Sequence, residues 1–407
     1  MVSRRHHYLG LALVTILASF MNGTGASAVP KVNRPINNLP PEEFIGKNIN
    51  RAELKLCASL SQLVYQRDIY SRKGFQKRLD DLEEIKEAFP DVDLDVRWFS
   101  NGVSIGKNLF SERLTLNDPT FVGVVVDDTL VLCFRGTISV RDLLEEAKFE
   151  SIIPKRWKVK GLEIQQRHSE MVDSYLRSHG NDIKKYLTGK FMDDPGKKWD
   201  GKTMQTPIKK VICTGHSLGG GLAQVAHLYL TAPGAKWNVR DSACVETIAF
   251  SAPMTIAVKD DLDEGTEQFL EEDIKPAMRN IVFKDDVIPR IASNFGFLNS
   301  FLNEFDNDDL LGGVARKFAE PLVELCRNVL VDKKDELGCY CHIGKLIYYD
   351  NYDAAPKMYE DWIAKHRRLE EDNDFKTLSY DKPEGRVADT AFSQHMALIK
   401  PGLAFGS

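Results

Sequence analysis

The chain has 407 residues, of which 43% are hydrophobic and 28% charged, and its formal net charge is −5. A chain of this length can bury a sizeable core and suits one large domain or two to three small ones. The slightly acidic balance argues against a nucleic-acid binder, which needs a basic face, and against general electrostatic attraction to anionic membranes.

The N-terminus has the layout of a secretory signal peptide. Basic side chains at residues 4–7 precede an apolar run from Tyr8 to Phe20, and small residues follow at 25–28. This order predicts cleavage after Ala28, and the run is shorter than the roughly 20 residues that span a bilayer. We therefore predict a signal peptide over residues 1–28 and a secreted or endomembrane-lumen location. An uncleaved anchor and part of an organelle-targeting leader are the alternatives.

Beyond the signal, the sequence predicts a leader followed by one α/β domain. Residues 29–50 are rich in proline and asparagine and are predicted as a leader or linker, and residues 51–400 as the domain. Apolar strands that alternate with helices predict an α/β fold, with a mainly parallel central sheet covered by helices on both faces. A helical insertion is expected over residues 293–338. The predicted helices cover 51–66, 74–88 and 163–187, with another from Leu218, and the predicted strands cover 121–126, 130–134, 208–214, 245–250, 280–284 and 345–349.

The strongest local signal is the sequence Gly215-His-Ser217-Leu-Gly219. Alone, the G-x-S-x-G pattern is weak evidence, since about one chain in ten of this length contains it by chance. Here an apolar strand leads into Gly215 and a helix-forming stretch follows Leu218, as a nucleophile elbow requires. The serine of an elbow occupies a strained strand-to-helix turn, and the flanking glycines let helix and strand pass closely. The alternative is a glycine-rich turn whose serine caps the helix.

A serine nucleophile needs a base to accept its proton, and the base needs an orienting carboxylate. In α/β-hydrolases the acid and then the histidine follow the serine in the chain. Asp285 and Asp286 stand at the end of a predicted strand, where a triad carboxylate would project. The alternative for this pair is a turn acid before Pro289.

The histidines downstream of the elbow differ in their surroundings. His227 lies within the helix after the elbow and is expected to face the core or solvent, while His366 lies in the charged run 365–368 and is expected on the surface. Chain order alone leaves both His342 and His395 open as the base.

Four motifs together resemble one known family. They are the strand-like 129–137, the elbow 215–221, the Asp286-Val-Ile-Pro-Arg290 segment and the Ser393-Gln-His395-Met-Ala-Leu segment. These are similar to the oxyanion strand, elbow, D-x-V-P-R acid segment and histidine segment of the class 3 lipases, the family of fungal triacylglycerol lipases. The resemblance extends over about residues 51–400 apart from the insertion. The stretch around His342 resembles a strand whose histidine is not catalytic in the family.

This resemblance implies an α/β-hydrolase fold and a catalytic triad of Ser217, Asp286 and His395, with Asp285 as the fallback acid. An oxyanion hole must present donors where charge develops on the carbonyl oxygen. The residue after the nucleophile, Leu218, supplies one amide, and the resemblance gives Thr137 the other position.

For Thr137, the alternative is a threonine that merely ends a strand. Residues 138–149 follow it and place four apolar side chains on one face of a short helix. In similar lipases the corresponding segment is a lid, so the resemblance implies transient contact with a lipid–water interface here. A packed helix that never moves is the alternative. The acidic character of the segment favours polar lipids or small soluble esters over bulk fat.

The seven cysteines all lie beyond the signal and fall into two groups. Three lie in predicted buried strands, where a cysteine usually acts as a small hydrophobic residue: Cys133, Cys213 and Cys244. The others are disulfide candidates whose connectivity cannot be deduced from sequence: Cys57, Cys326, Cys339 and Cys341.

The sequence therefore predicts a serine ester hydrolase that cleaves acylglycerols or polar glycerolipids through an acyl-enzyme on Ser217. It implies a lipid or ester substrate and no nucleic acid. No metal or organic cofactor is implied, and the cysteines lack the spacing of zinc ligands. One alternative is a catalytically silent lipase-like scaffold or signalling protein whose insertion binds a partner. Another is a different serine hydrolase such as a peptidase, although no feature suggests a peptide-binding subsite.

Overall fold

The computed structural model describes residues 40–65, 71–101, 119–136, 151–187, 208–283, 289, 340–349 and 357–359. The strands, in chain order, are β1 (Asp95–Asn101), β2 (Pro119–Val126), β3 (Thr129–Phe134), β4 (Ser151–Ile152), β5 (Leu162–Gln165), β6 (Lys210–His216), β7 (Cys244–Phe250), β8 (Ile256–Val258), β9 (Met278–Phe283), β10 (Tyr340–Cys341), β11 (Lys345–Tyr349) and β12 (Lys357–Tyr359). The helices are α1 (Glu42–Ile45), α2 (Arg51–Leu63), α3 (Arg72–Asp80), α4 (Glu83–Ala88), α5 (Gln166–Leu187), α6 (Leu218–Thr231) and α7 (Glu264–Phe269), and a π-helical turn (Leu270–Ile274) and a 3-10 turn (Lys275–Ala277) follow α7.

A large sheet with the strand order β1-β2-β3-β6-β7-β9-β11-β12 organises these elements. Its centre is parallel, from β3 through β6, β7 and β9 to β11. Antiparallel strands complete it at both edges. The predicted α/β fold with a mainly parallel central sheet is therefore confirmed, and all the predicted strands are found with ends shifted by two residues or fewer where the structure describes them.

Alternating side chains of the central strands enter two separate cores. In β3, Leu130, Leu132 and Phe134 pack on the face that α5 and α6 cover, whereas Val131 and Cys133 pack on the face that α2, α3 and α4 cover. Successive side chains of a strand point to opposite faces, so a strand buried on both faces needs apolar residues at every position. This requirement explains why β3 appears in the sequence as an unbroken apolar run.

A smaller antiparallel sheet, in the order β10-β8-β5-β4, lies beside the main one. Its strand β5 corrects the sequence analysis, which placed a helix from residue 163. Leu162 instead pairs with Val258 and Ile164 with Ile256, and the helix begins only at Gln166. Four residues with two buried apolar side chains leave too little pattern to separate a short strand from the first turn of a helix.

Two predicted boundaries at the N-terminal side are also wrong. The predicted leader 29–50 includes α1, and Ile45 and Ile49 are buried in the core beneath α2, so the folded domain begins before residue 51. The predicted helix 74–88 is two helices, because the chain turns at Asp81 and Leu82 between α3 and α4.

Polar contacts fix α2 against the sheet. The side chain of Asn50 accepts from the amide of Glu53 at 2.9 Å and the Glu53 carboxylate accepts from the Asn50 amide at 3.0 Å. This reciprocal pair is a capping box, which satisfies two amides that a helix start leaves unpaired. The other oxygen of Glu53 lies 2.5 Å from Lys210 Nζ at the start of β6. The helix is therefore capped and attached to the central sheet through the same carboxylate.

The described cysteines act mainly as core residues. Cys57, predicted as a disulfide candidate, is buried and free, and burial raises the pKa of its thiol. Cys133 and Cys213 are buried as predicted, but Cys244 begins β7 and is exposed. Cys341 is buried in the small sheet, and Cys326 and Cys339 lie outside the described residues.

Several further predictions fall outside the described residues: the signal peptide 1–28, the lid segment 138–149 and the helical insertion 293–338. Of the helices that the structure describes, none combines the length and the apolar character needed to cross a membrane.

Candidate active site

The turn from β6 into α6 holds Ser217 in a strained backbone conformation. Its φ of 58° and ψ of −130° lie in a region that residues with a side chain rarely adopt. The Ser217 amide donates to the carbonyl of Phe250, at the end of β7, at 2.9 Å. Sharp reversal after a buried strand and a helix starting at the next residue are the geometry of a nucleophile elbow.

Two glycines make this turn possible. A Cβ on Gly215 would lie 2.6 Å from the carbonyl oxygen of Phe134 and would collide with the backbone of Gly219. A Cβ on Gly219 would collide with the same Phe134 oxygen and lie 2.8 Å from the carbonyl carbon of Arg135. Strand β6, the end of β3 and the first turn of α6 therefore pack backbone against backbone, which requires residues without a side chain.

The Ser217 hydroxyl is not used to stabilise the helix. Ser217 is the N-cap residue of α6, yet its side chain makes no capping hydrogen bond. A serine selected for capping would accept from an amide two or three residues further on. The structure therefore does not show the alternative, which was a glycine-rich turn with a capping serine.

The start of α6 supplies hydrogen-bond donors next to Ser217. Leu218 is the first residue of α6, and the amide of a helix's first residue has no partner within the helix. The positive end of the helix dipole adds to the attraction of these donors for negative charge. Across the turn, the described part of the segment predicted as the oxyanion strand ends at Gly136, and Thr137, which follows it, lies outside the described residues.

Tyr65 connects the two backbone segments beside Ser217, and the sequence analysis did not identify it. Its hydroxyl donates to the carbonyl oxygen of His216 at 3.2 Å and lies 3.3 Å from Nδ1 of the same histidine. A Cβ on Gly136 would collide with this hydroxyl. Tyr65 thus packs between the residue before the nucleophile and the residue before Thr137. The sequence separation of 151 positions between Tyr65 and His216 explains why no local pattern indicated it.

Removing the Tyr65 hydroxyl should disturb the packing between the backbone at His216 and the backbone at Gly136 without unfolding the protein. We expect Tyr65→Phe to lower the free energy of unfolding by about 1 kcal/mol, the usual worth of one hydrogen bond. We expect kcat for a soluble ester to fall by about tenfold, because small displacements of catalytic groups are costly. Denaturant titration and steady-state kinetics of the two proteins measure both effects; an unchanged kcat would show that the junction does not depend on the hydroxyl.

The predicted acids follow β9 in the chain, as Ser217 follows β6, and the two strands end at the same edge of the sheet. Strands β6, β7 and β9 are parallel neighbours, so their carboxyl ends meet at one edge, where ligands of open α/β sheets bind. Asp285 and Asp286 follow the end of β9 at Phe283 but lie outside the described residues. Pro289, three residues beyond Asp286, is described and buried.

The described histidines after the elbow both lie in the interior. His227 is fully buried in α6, with Nδ1 2.9 Å from the Thr247 hydroxyl, and burial lowers its pKa to about 3. His342 is buried next to Pro289, with 3.2 Å between its Nε2 and the Pro289 carbonyl oxygen. His366 and His395 lie outside the described residues.

Within the part of the chain that the structure describes, no group of three or more His, Cys, Asp or Glu side chains is arranged to hold a metal ion. The groups that the structure does bring together at the end of β6 are a strained serine, the first turn of α6 and the segment that continues from β3 to Gly136. These groups suit nucleophilic attack on a carbonyl carbon and stabilisation of the resulting oxyanion.

Comparison with known proteins gives one family and a set of related folds. Residues 131–295 match the family described as lipase (class 3). Among solved structures, M37 lipase is similar, with 15% identity and a TM-score of 0.49, covering 86% of this chain and 99% of that one. A lipase from Rhizopus microsporus var. chinensis has 16% identity and a TM-score of 0.41, covering 82% and 88%. The triacylglyceride lipase of Rhizomucor miehei has 14% identity and a TM-score of 0.40, covering 86% and 96%. Comparison with curated proteins gives no significant match.

Proposed function

We infer from its class 3 lipase-like sequence over residues 131–295 that the chain is a lipase-type carboxylic ester hydrolase, and we propose that Ser217 is its nucleophile. The observation that carries this proposal is the strained backbone of Ser217, whose hydroxyl does not cap the helix that it precedes. Backbone strain has a cost of about 1–3 kcal/mol and persists where the surrounding structure enforces it, commonly at functional sites.

The proposed reaction has two halves. The Ser217 oxygen attacks the ester carbonyl carbon while His395 accepts the hydroxyl proton and Asp286 orients the imidazole. The negative charge on the former carbonyl oxygen is held by the amides of Leu218 and Thr137. Collapse of this intermediate expels the alcohol, which takes the proton from His395, and leaves the acyl group on Ser217. Water, deprotonated by His395, then attacks the acyl-enzyme and releases the carboxylic acid and the free serine.

The geometry of the described residues supports the part of this scheme that involves Ser217 and the start of α6. The first amide of α6 lies next to Ser217, and the end of the proposed oxyanion strand packs directly on the same turn. The acid is expected after β9, which is separated from β6 by β7. Acylglycerols or polar glycerolipids are the proposed substrates, with residues 138–149 as the segment that contacts a lipid–water interface. The signal predicted at residues 1–28 supports a secreted or endomembrane-lumen location, also as a proposal.

A fluorophosphonate probe tests the nucleophile directly, because it phosphonylates only a serine whose proton can be removed. We expect the mature wild-type protein to be labelled, and the Ser217→Ala and His395→Ala variants to remain unlabelled although folded. Ser251→Ala is a matched control, since Ser251 also has a positive φ, of 48°, at the end of the neighbouring strand β7. This variant should be labelled like the wild type.

The result is decisive in either direction. Labelling that requires Ser217 justifies a screen of acylglycerols and phospholipids as substrates. Absence of labelling in folded wild-type protein, with and without detergent, would reject the hydrolase proposal and favour the catalytically silent scaffold.

A further inference from the structure

Helix α6, which begins directly after Ser217, carries a buried polar side chain that the proposed reaction does not use. Gln224 lies two turns along this helix, which places it about 10 Å from the helix start. Its side chain ends in a polar amide and is 1% exposed. A buried amide is costly unless it is hydrogen-bonded, so the partners of Gln224 indicate what it contributes.

The partners of Gln224 form a continuous chain of hydrogen bonds. Its amide nitrogen donates to Oδ1 of Asn280 in β9 at 2.5 Å, and its amide oxygen accepts from the hydroxyl of Thr255, just before β8, at 3.0 Å. The amide nitrogen of Asn280 donates in turn to the carbonyl of Ile343, between β10 and β11, at 2.9 Å. Asn280 and Thr255 are fully buried. The chain therefore links α6 to the large sheet, to the small sheet and to the segment between them.

These hydrogen bonds can run in only one direction. The Ile343 carbonyl only accepts, so Asn280 must turn its nitrogen towards Ile343 and its oxygen towards Gln224. Gln224 must then offer its own nitrogen to Asn280 and its oxygen to Thr255, whose hydroxyl donates. Hydrogen bonds weaken steeply as distance and angle depart from the ideal. The chain is therefore satisfied at one rotation and one axial position of α6.

The first turn of α6 offers little that fixes its rotation. It contains three consecutive glycines, at 219–221, which have no side chains to interlock with their neighbours. A Cβ on Gly220 would lie 2.8 Å from the Cβ of Ala252, and one on Gly221 would lie 2.7 Å from Cγ2 of Thr255. These are close contacts between backbone and small apolar groups, and apolar attraction is non-directional. The directional contacts begin one turn later.

The nucleophile turn and the buried amides are attached to the same pair of strands. The amide of Ser217 donates to the carbonyl of Phe250 in β7, and Phe250 lies opposite Ile281 in the ladder between β7 and β9. Asn280 is the residue before Ile281. One continuous helix thus connects an attachment at Ser217 with an attachment at Gln224, and a shift of the helix at the second point is transmitted to the first.

We propose that Gln224 and Asn280 are positioning residues: their buried hydrogen bond fixes the rotation and axial position of α6 and so places the Ser217 hydroxyl and the Leu218 amide for attack on an ester. The proposal rests on the proposed function, since it takes Ser217 as the nucleophile. Gln224 and Asn280 act through the helix and are not among the proposed catalytic groups. Loss of their hydrogen bond should therefore lower turnover more than substrate binding.

Gln224→Met removes the amide and keeps an unbranched side chain of similar length. We expect kcat for a soluble ester to fall about 10- to 100-fold with KM changed by less than about twofold, because displacing a catalytic group by about 1 Å has effects of this size. The rate of labelling by a fluorophosphonate probe should fall by a similar factor. Both rates are expressed per folded protein, measured by circular dichroism, so a loss of stability alone would leave them unchanged.

An exchange of the two side chains tests whether the hydrogen bond itself matters. Gln224→Asn/Asn280→Gln moves one methylene from one side chain to the other, and we expect kcat within about fivefold of the wild type, whereas Gln224→Asn alone should lose as much as Gln224→Met. Thr231→Val is the matched control. Thr231 is buried in the same helix, but its hydroxyl donates to the carbonyl of His227 within that helix at 2.8 Å. Its loss leaves the attachment of α6 intact, so kcat should not change.

A folded Gln224→Met protein with the wild-type kcat would overturn the proposal. An exchange variant no more active than Gln224→Asn alone, or an equal loss in Thr231→Val, would also overturn it. If Gln224→Met does not fold, Gln224→Asn takes its place with the same expected loss. Labelling of the wild type separates the two proposals: its absence rejects the proposed function, whereas a labelled wild type with Gln224→Met labelled at the same rate rejects only the positioning role.

Discussion

Asp286→Asn should lower kcat for a short-chain soluble ester by about 10⁴-fold while leaving KM nearly unchanged. The asparagine has almost the same shape, so the segment before the buried Pro289 has no steric reason to move. What changes is the charge: in the proposed triad, a neutral amide would neither stabilise an imidazolium on His395 nor enforce the tautomer that accepts the Ser217 proton. Steady-state kinetics with a p-nitrophenyl ester measure the effect, and circular dichroism checks the fold.

The neighbouring aspartate supplies a matched control. Asp285→Asn makes the same chemical change one position earlier, and we expect kcat to fall by less than about tenfold. Side chains of consecutive residues leave the backbone in different directions, so the two carboxylates cannot serve the same imidazole in the same way. A larger loss in Asp285→Asn than in Asp286→Asn would assign the acid to Asp285, and small losses in both would contradict a triad acid on this segment.

The sequence indicated the central sheet because burial on both faces gives its strands short continuous apolar runs, whose length favours strands over helices. Strand β3 is buried at all six positions, and such a strand must be a continuous apolar run. The strands of the small sheet have no comparable continuous apolar run. Its strands β4 and β10 have two residues each and β8 has three, too few for a period of two to be distinguished from chance. Edge strand β1 was also missed, since only its half-buried pattern and its pairing with β2 define it.

The candidate site likewise has a part that the sequence indicated and a part that only the fold shows. The elbow is a local structure, so the glycines at 215 and 219 and the serine between them could be recognised from their spacing. Tyr65 and His342 contact backbone carbonyls that are distant in the sequence. Any residue type can offer a carbonyl, so these contacts leave no mark on the partner's sequence, and only the fold identifies them.

Gly219→Ala should lower the free energy of unfolding by about 3 kcal/mol and abolish most of the esterase activity. Overpacking of a tight site typically has a cost of about 1–3 kcal/mol, and the upper end applies where the surroundings cannot yield. Here the added Cβ would collide with the carbonyl oxygen of Phe134 and lie 2.9 Å from the amide of Gly136. Both belong to the backbone of the segment predicted as the oxyanion strand, so relief requires that segment to move away from Ser217.

The control for this change is a helical glycine in open space. A Cβ on Gly265 in α7 would meet no atom nearer than 3.9 Å, so Gly265→Ala should leave activity unchanged and stabilise the protein by up to about 1 kcal/mol through helix propensity. Denaturant unfolding and esterase assays on the two variants and the wild type provide the comparison. If Gly219→Ala behaved like Gly265→Ala in both measurements, the oxyanion strand would not pack on the first turn of α6. Loss of activity with full stability would instead show that the strand yields easily, and that its position matters chiefly for the chemistry at Ser217.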